Sequence, residues 1–163
     1  MQAYAKWLMV ATMTVGFILL AYGSPVFAQA ADPVIGTWKL DAAKSKYSPG
    51  PPPKSLTVKF EAAGKGVKLT TDGVGADGQP THTEYTADYD GKDYPLIGSP
   101  VADTVSLKRI DASTSVRTDK KGGKVVQTLT RKMSSDGKSF TVAVKGTNPQ
   151  GQPVNHMLVF MKQ

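Results

Sequence analysis

Short turn pairs divide most of this chain into segments of similar length. Asp-Gly or Gly-Gly pairs occur at Asp72-Gly73, Asp77-Gly78, Asp90-Gly91, Gly122-Gly123 and Asp136-Gly137. Such pairs supply the positive backbone dihedrals of tight hairpin turns, so the strands on either side of each pair are expected to fold back antiparallel. The segments between them are short and rich in Val, Thr, Tyr and Leu. The spacing therefore predicts an all-β, up-and-down antiparallel meander.

Alternation within the segments supports the same architecture. Leu56, Val58 and Phe60 share one face of their segment, and polar residues occupy the other face, which is the period-two pattern of a half-buried strand. Similar patterns predict about ten strands. They centre on residues 34–40, 54–61, 67–71, 85–89, 92–97, 104–110, 114–118, 124–133, 139–145 and 154–161.

The number of strands favours a closed barrel. An open sheet of this size would leave two long edges that invite aggregation, and the strict hairpin order argues against the crossed connections of an immunoglobulin sandwich. We therefore expect a barrel of about 8–10 strands in which segment 154–161 pairs with the first strand. Residues 41–47 are predicted to form a turn or two of helix, and the proline-rich residues 48–53 an extended connector.

The first thirty residues have the features of an export signal. Lys6 gives a positive start, an apolar run follows from Trp7 to Leu20, and Ala28-Gln29-Ala30 is a small-x-small cleavage site. The alternative is a retained membrane anchor, but the apolar run is shorter than the roughly 20 residues that span a bilayer. We expect a signal peptide at residues 1–30 and a barrel domain at 31–163. The mature protein is then periplasmic or extracellular, with no stable membrane span.

Composition limits the classes of partner. The chain has 163 residues and a formal net charge of +7, and a basic protein is a candidate for binding nucleic acid. The lysines are scattered among acidic residues, however, and the densest run, Asp119-Lys120-Lys121, adjoins a Gly-Gly turn, which indicates a solvated surface. Export also separates the protein from the genome. We expect no nucleic-acid partner, no disulfides because cysteine is absent, and a monomer.

Catalytic and metal-binding patterns are missing from the sequence. It contains two histidines, His82 and His156, no cysteine, and no H-E-x-x-H, C-x-x-C or G-x-S-x-G arrangement. We therefore expect no enzyme activity, no cofactor and no metal. His156 alternates in phase with Leu158 and Phe160, so it is predicted to point inward, either as a hydrogen-bonded core residue or as a ligand contact.

Two arginines share the phase of apolar residues. Arg131 is in phase with Val125, Leu129 and Met133, and Arg109 is in phase with Leu107, so both guanidinium groups are predicted to enter the barrel. A buried guanidinium needs an acceptor, which in a hollow barrel is a ligand carboxylate or phosphate. The alternative is that each arginine stacks on Trp38 or caps a barrel mouth with its head in water.

The segment Gly36-Thr37-Trp38-Lys39-Leu40 resembles the G-x-W of lipocalins and the first strand of fatty-acid-binding proteins. These are small closed barrels that carry apolar ligands. The resemblance implies a lipocalin-like barrel whose closed end is plugged by Trp38, with Gly36 beside it.

Together these features predict an exported module that binds a hydrophobic or amphipathic small molecule. The alternative is a filled barrel, structural or envelope-associated, without such a ligand. Arg131 is expected to bind the acidic head of the ligand. The candidate ligand-binding residues are Arg131, Arg109, Tyr85, Tyr89, Leu107, Leu129, Phe140 and His156.

Overall fold

The computed structural model describes residues 32–163. The predicted signal peptide and Ala31 lie outside the described residues, so the cleavage site stays a prediction. Among residues 32–163, no helix is long and apolar enough to cross a membrane.

Ten antiparallel strands make up the fold, as the alternation predicted. They are β1 Gly36–Leu40, β2 Ser55–Ala63, β3 Gly66–Val74, β4 Pro80–Asp88, β5 Tyr94–Pro95, β6 Thr104–Arg109, β7 Thr114–Lys121, β8 Lys124–Met133, β9 Ser139–Thr147 and β10 Pro153–Lys162. Within the described part of the chain there is no α-helix. The all-β prediction is confirmed.

The turn or two of helix predicted for residues 41–47 is wrong. The chain turns after Asp41 and then pairs with β10, where Lys46 and Met157 exchange backbone hydrogen bonds of 2.7 and 2.9 Å. The Ser45 hydroxyl also accepts a hydrogen bond of 2.9 Å from the Val159 N–H. Because these groups bond to a strand far away in sequence, the local helical pattern does not form.

The sheet is a meander that curls into a nearly closed barrel. Its strand order is β4-β3-β2-β1-β10-β9-β8-β7-β6-β5, so β10 pairs with β1 as predicted. The two edge strands approach each other where Glu84 of β4 and Ile97 exchange backbone hydrogen bonds of 3.0 and 2.9 Å. We call this contact the seam. Gly98 is required beside it, because a Cβ there would lie 2.2 Å from the carbonyl oxygen of His82.

One end of the barrel is filled by aromatic side chains. Trp38 is fully buried, and its Nε1–H donates a 2.7 Å hydrogen bond to the carbonyl of Val34. Phe140 meets the Trp38 ring edge-on at 4.8 Å between centroids and stacks on Phe160 at 4.9 Å. The Lys162 ammonium lies 5.3 Å from the centroid of the Trp38 ring. We call this region the Trp38 end.

A β-bulge shifts the pairing of β7 and β8. Lys120 lies opposite Val125, but Asp119 lies opposite Gln127, so Val126 is an extra residue on β8. Its carbonyl approaches Gly146 of β9 so closely that a Cβ at Gly146 would lie 2.1 Å from the oxygen. The bulge reverses the alternation of β8, so that Val125 faces solvent and Gln127 faces the interior.

Candidate functional site

A cavity of about 250 Å³ lies inside the barrel next to the Trp38 end. Its two long sides differ in chemistry. The apolar wall comes from β2, β9 and β10 and consists of Val58, Phe60, Phe140, Val142, Leu158 and Phe160. The polar wall comes from β7 and β8 and consists of Ser115, Arg117, Asp119, Gln127 and Arg131. An amphipathic molecule would meet both kinds of surface.

The register of β6 and β7 places the polar wall inside. Leu107 is paired with Arg117 and Val105 with Asp119, and directly opposed residues of neighbouring strands share a face. Val105 and Leu107 belong to the core, so their partners also point inward. Asp119 is 3% exposed, and its assignment to a solvated surface run is therefore wrong.

Arg117 and Asp119 form a buried ion pair on the polar wall. Arg117 Nε donates to Asp119 Oδ1 at 2.6 Å and Nη2 donates to Oδ2 at 2.8 Å, a two-pronged geometry. The guanidinium carbon lies 5.0 Å from the centroid of the Tyr85 ring. Burial acts to lower the pKa of Arg117, but the adjacent Asp119 carboxylate outweighs it and raises that pKa. The pair is therefore charged and internally neutralised.

Arg131 is the cation of the polar wall that lacks a carboxylate partner. Its Nη2 donates a 3.0 Å hydrogen bond to the Tyr89 hydroxyl, and its guanidinium carbon lies 4.9 Å from the centroid of the Phe60 ring. Its Nε is buried without a hydrogen-bond partner, and no carboxylate of residues 32–163 forms an ion pair with it. The guanidinium therefore keeps donors available for an acceptor in the cavity.

A chain of polar contacts fixes the position of Arg131. The Tyr89 hydroxyl donates to Asp32 Oδ2 at 2.8 Å, which leaves its oxygen free to accept from Arg131. Arg109 forms an ion pair with the same Asp32 oxygen, and its guanidinium carbon lies 4.1 Å from the centroid of the Tyr89 ring. Asp32 and Arg109 therefore hold Tyr89, and Tyr89 holds Arg131.

The pKa values in this chain follow its hydrogen bonds. Burial acts to raise the pKa of Asp32, but hydrogen bonds from Arg109, the Val34 N–H and Tyr89 lower it overall. Burial raises the pKa of the Tyr89 hydroxyl, so this group keeps the proton that it donates to Asp32. The direction of each hydrogen bond is thus set near neutral pH.

Six of the eight predicted ligand residues line the cavity. They are Arg131, Tyr85, Tyr89, Leu107, Leu129 and Phe140. Gly36, predicted to lie beside the plug, has a φ of +135° in β1, and a Cβ there would contact the Lys162 side chain.

Arg109 and His156 do not line the cavity. Arg109 is the last residue of β6, its side chain is 34% exposed, and Asp32 holds it outside. His156 shares the strand face of Leu158, but its Nδ1 accepts a 3.1 Å hydrogen bond from the Ser48 N–H and its ring packs against Tyr47 at 5.2 Å. Burial lowers the pKa of His156.

The sequence reasoning missed four residues of the polar wall, Ser115, Arg117, Asp119 and Gln127. Pairing β7 with β8 through a simple two-residue turn at Gly122-Gly123 would have turned Val116 inward instead. The register of the β6–β7 hairpin was the available signal, because pairing from its turn places Arg117 opposite the core residue Leu107. No cluster of three or more His, Cys, Asp or Glu that could hold a metal ion occurs among the described residues.

No family model matches the chain, and no curated protein matches it. Several solved structures are similar to it, among them the following two. One is the zebrafish ileal bile acid-binding protein complexed with cholic acid, with 11% identity and a TM-score of 0.47 over 80% of this chain and 99% of that one. The other is the siderocalin Ex-FABP, described as functioning through dual ligand specificities, with 10% identity and a TM-score of 0.35 over 80% and 74%. The predicted lipocalin-like barrel is confirmed by the strand order and near closure of the described residues themselves.

Proposed function

We propose that this protein binds a small amphipathic molecule that carries one negative charge. The observation that carries the proposal is Arg131, a cation that lines an apolar cavity and has no carboxylate partner among residues 32–163. Arg131 is half-buried, and its Nε is buried without a hydrogen-bond partner. Removing a polar group from water without giving it a partner costs free energy, so this cation is best explained by an acceptor that arrives with the ligand.

The charge balance of the site supports a monoanion. Arg117 is neutralised by Asp119, and Arg109 is neutralised by Asp32, so the net charge facing the cavity is the single positive charge of Arg131. A guanidinium matches a carboxylate or a phosphate, because its planar donors fit two acceptor oxygens at once. The apolar wall on the opposite side suits the hydrocarbon part of the same molecule.

The proposal describes an exported binding protein rather than an enzyme. Its export, to the periplasm or the extracellular space, rests on the residues of the predicted signal peptide. The second candidate is the filled barrel without a ligand. The cavity of about 250 Å³ favours a hollow barrel over that alternative, because well-packed interiors contain few voids larger than a water molecule.

Calorimetric titration with octanoate tests the anchoring role of Arg131. We expect octanoate to bind the wild type and to bind Arg131→Met about tenfold more weakly or worse, because a charge-assisted hydrogen bond is worth about 1.5–3 kcal/mol and each 1.4 kcal/mol is one decade. Lys132→Met is the matched control, since it removes the same charge from an exposed neighbour on β8.

If the wild type and Arg131→Met bind octanoate with equal affinity, Arg131 does not contact the ligand. If Arg131→Met and Lys132→Met lose the same octanoate affinity, the loss comes from the lower net charge of the protein and not from a contact of Arg131. Absence of binding to the wild type, for both octanoate and a fluorescent fatty-acid probe, would support the filled barrel.

A further inference from the structure

The size of the cavity limits the ligand that fits inside it. A volume of about 250 Å³ is about eight times the share of one water molecule in the liquid. The part of a ligand that lies inside this cavity therefore has on the order of ten non-hydrogen atoms. A medium-chain or small aromatic acid has this size.

The polar wall offers a second set of polar groups away from Arg131. Arg131 is opposite Ser115 on β7, and Asp119 lies four residues further along the same strand, a distance of roughly 13 Å between the backbone positions at about 3.3 Å per residue. Arg117 lies between them, and Gln127 faces Asp119. The polar wall thus has one set of polar groups at Arg131 and Ser115 and a second set at Asp119 and Gln127. Leu129 lies beside Arg117 on the neighbouring strand.

The Arg117–Asp119 pair has hydrogen-bonding capacity left after its own two bonds. A carboxylate has about four acceptor positions and a guanidinium five donors, and the pair uses two of each. Because the pair is already neutral, a further carboxylate would be repelled by Asp119 and a further ammonium by Arg117. A hydroxyl group donates and accepts at once and adds no charge.

The amide of Gln127 is held in place beside this pair. Its Nε2 donates a 2.8 Å hydrogen bond to the carbonyl of Thr147, which fixes the side chain against the end of β9. Thr71 and Thr83, which are cross-strand partners on β3 and β4, bring two further hydroxyl groups to the cavity lining. These groups are suited to a neutral polar substituent.

We propose that the ligand is a small hydroxy acid whose carboxylate binds Arg131 and whose hydroxyl, at the far end of the molecule, binds the Arg117–Asp119 pair. This inference rests on the proposed function, because it needs Arg131 to fix one end. It also gives the buried ion pair a role, since such pairs add little or nothing to stability.

Titration of the wild type with three related acids tests the proposal. They are octanoate, its ω-hydroxy derivative and its α-hydroxy derivative. We expect the ω-hydroxy acid to bind about tenfold more tightly than octanoate, in keeping with one well-made buried hydrogen-bonded group, and the α-hydroxy acid to bind no better than octanoate. The two hydroxy acids have the same composition, so the position of the hydroxyl is the only variable.

The paired variant Arg117→Met/Asp119→Leu identifies the group that recognises the hydroxyl. We expect it to lose the roughly tenfold preference for the ω-hydroxy acid over octanoate, whereas Arg131→Met weakens the binding of both acids. Replacing both partners avoids leaving one buried charge alone.

The outcomes separate this inference from the proposed function. If octanoate binds but the ω-hydroxyl gives no gain, or the paired variant keeps the gain, the hydroxy-acid inference is overturned and the Arg131 site stands. If the wild type binds none of the three acids, both fail. If the paired variant does not fold, the relative affinities of the wild type for the three acids still test the hydroxy-acid inference.

Discussion

The two walls of the cavity differ in what they contribute to the molecule. The apolar wall continues into the Trp38 end, where Phe140 contacts Trp38, Phe60 and Phe160. Burial of each such side chain stabilises a fold by about 1.5–3 kcal/mol. The polar wall holds a buried ion pair and a further cation that is half-buried, and a buried pair often contributes less to stability than apolar residues of the same volume. The comparison indicates that the apolar wall contributes most of the stability of the barrel, whereas the proposed function assigns ligand selection to the polar wall.

The largest expected effect tests the apolar side of this comparison. Trp38→Ala removes a fully buried ring and its hydrogen bond to Val34, and truncating a buried Trp typically lowers the free energy of unfolding by about 3–5 kcal/mol. Chemical denaturation measures the loss. Val125→Ala, at a residue that is 60% exposed, is the control and should change stability by less than about 0.5 kcal/mol. A Trp38→Ala variant as stable as this control would contradict the predicted role of Trp38 as a barrel plug.

The next effect tests the polar side. Asp119→Leu alone leaves the Arg117 charge buried without its partner, and we expect it to lower the free energy of unfolding by about 3 kcal/mol. The paired variant Arg117→Met/Asp119→Leu should be within about 1 kcal/mol of the wild type or above it. A denaturation series of the single and paired variants gives the coupling between the residues. A paired variant as unstable as the single one would show that the polar wall also holds the barrel together.

The smallest effect concerns His156, a half-buried titratable residue of β10. Burial lowers its pKa below the ordinary value of 6.5, so the unfolded chain binds the proton more readily than the folded one. Its contribution to stability is present above about pH 6.5 and is lost as the pH falls through the lowered folded pKa. Comparing unfolding at pH 7.5 and pH 5.5 for wild type and His156→Gln should show a smaller decrease in the variant. Equal decreases in both proteins would show that other groups cause the pH dependence.

Sequence reasoning recovered the number, order and pairing of the strands because those depend on local turns and alternation. It located Arg131 because the alternation from Gln127 to Met133 is unbroken. It failed where a single extra residue changed the phase of a strand: the bulge at Val126 leaves Val125 exposed, although Val125 alternates in phase with Leu129. Alternation within one strand carries no information about such a shift in its neighbour.

Long-range contacts explain the other differences. Arg109 has the phase of an inward residue, but it pairs with Asp32, which is 77 residues away in sequence. His156 likewise bonds to Ser48 across 108 residues. Neither partner is indicated by spacing or composition. Polar residues whose partners lie far away in sequence are therefore the positions where a pattern-based assignment of the interior is least secure.

The seam is expected to affect the rate at which backbone amide protons exchange with solvent. Nine residue pairs join β9 to β10, whereas the seam joins the two edges of the sheet through two hydrogen bonds between Glu84 and Ile97. Local opening requires the least free energy where a ladder is shortest, so exchange of the backbone amide protons of Glu84 and Ile97 should be faster than that of the β9–β10 ladder.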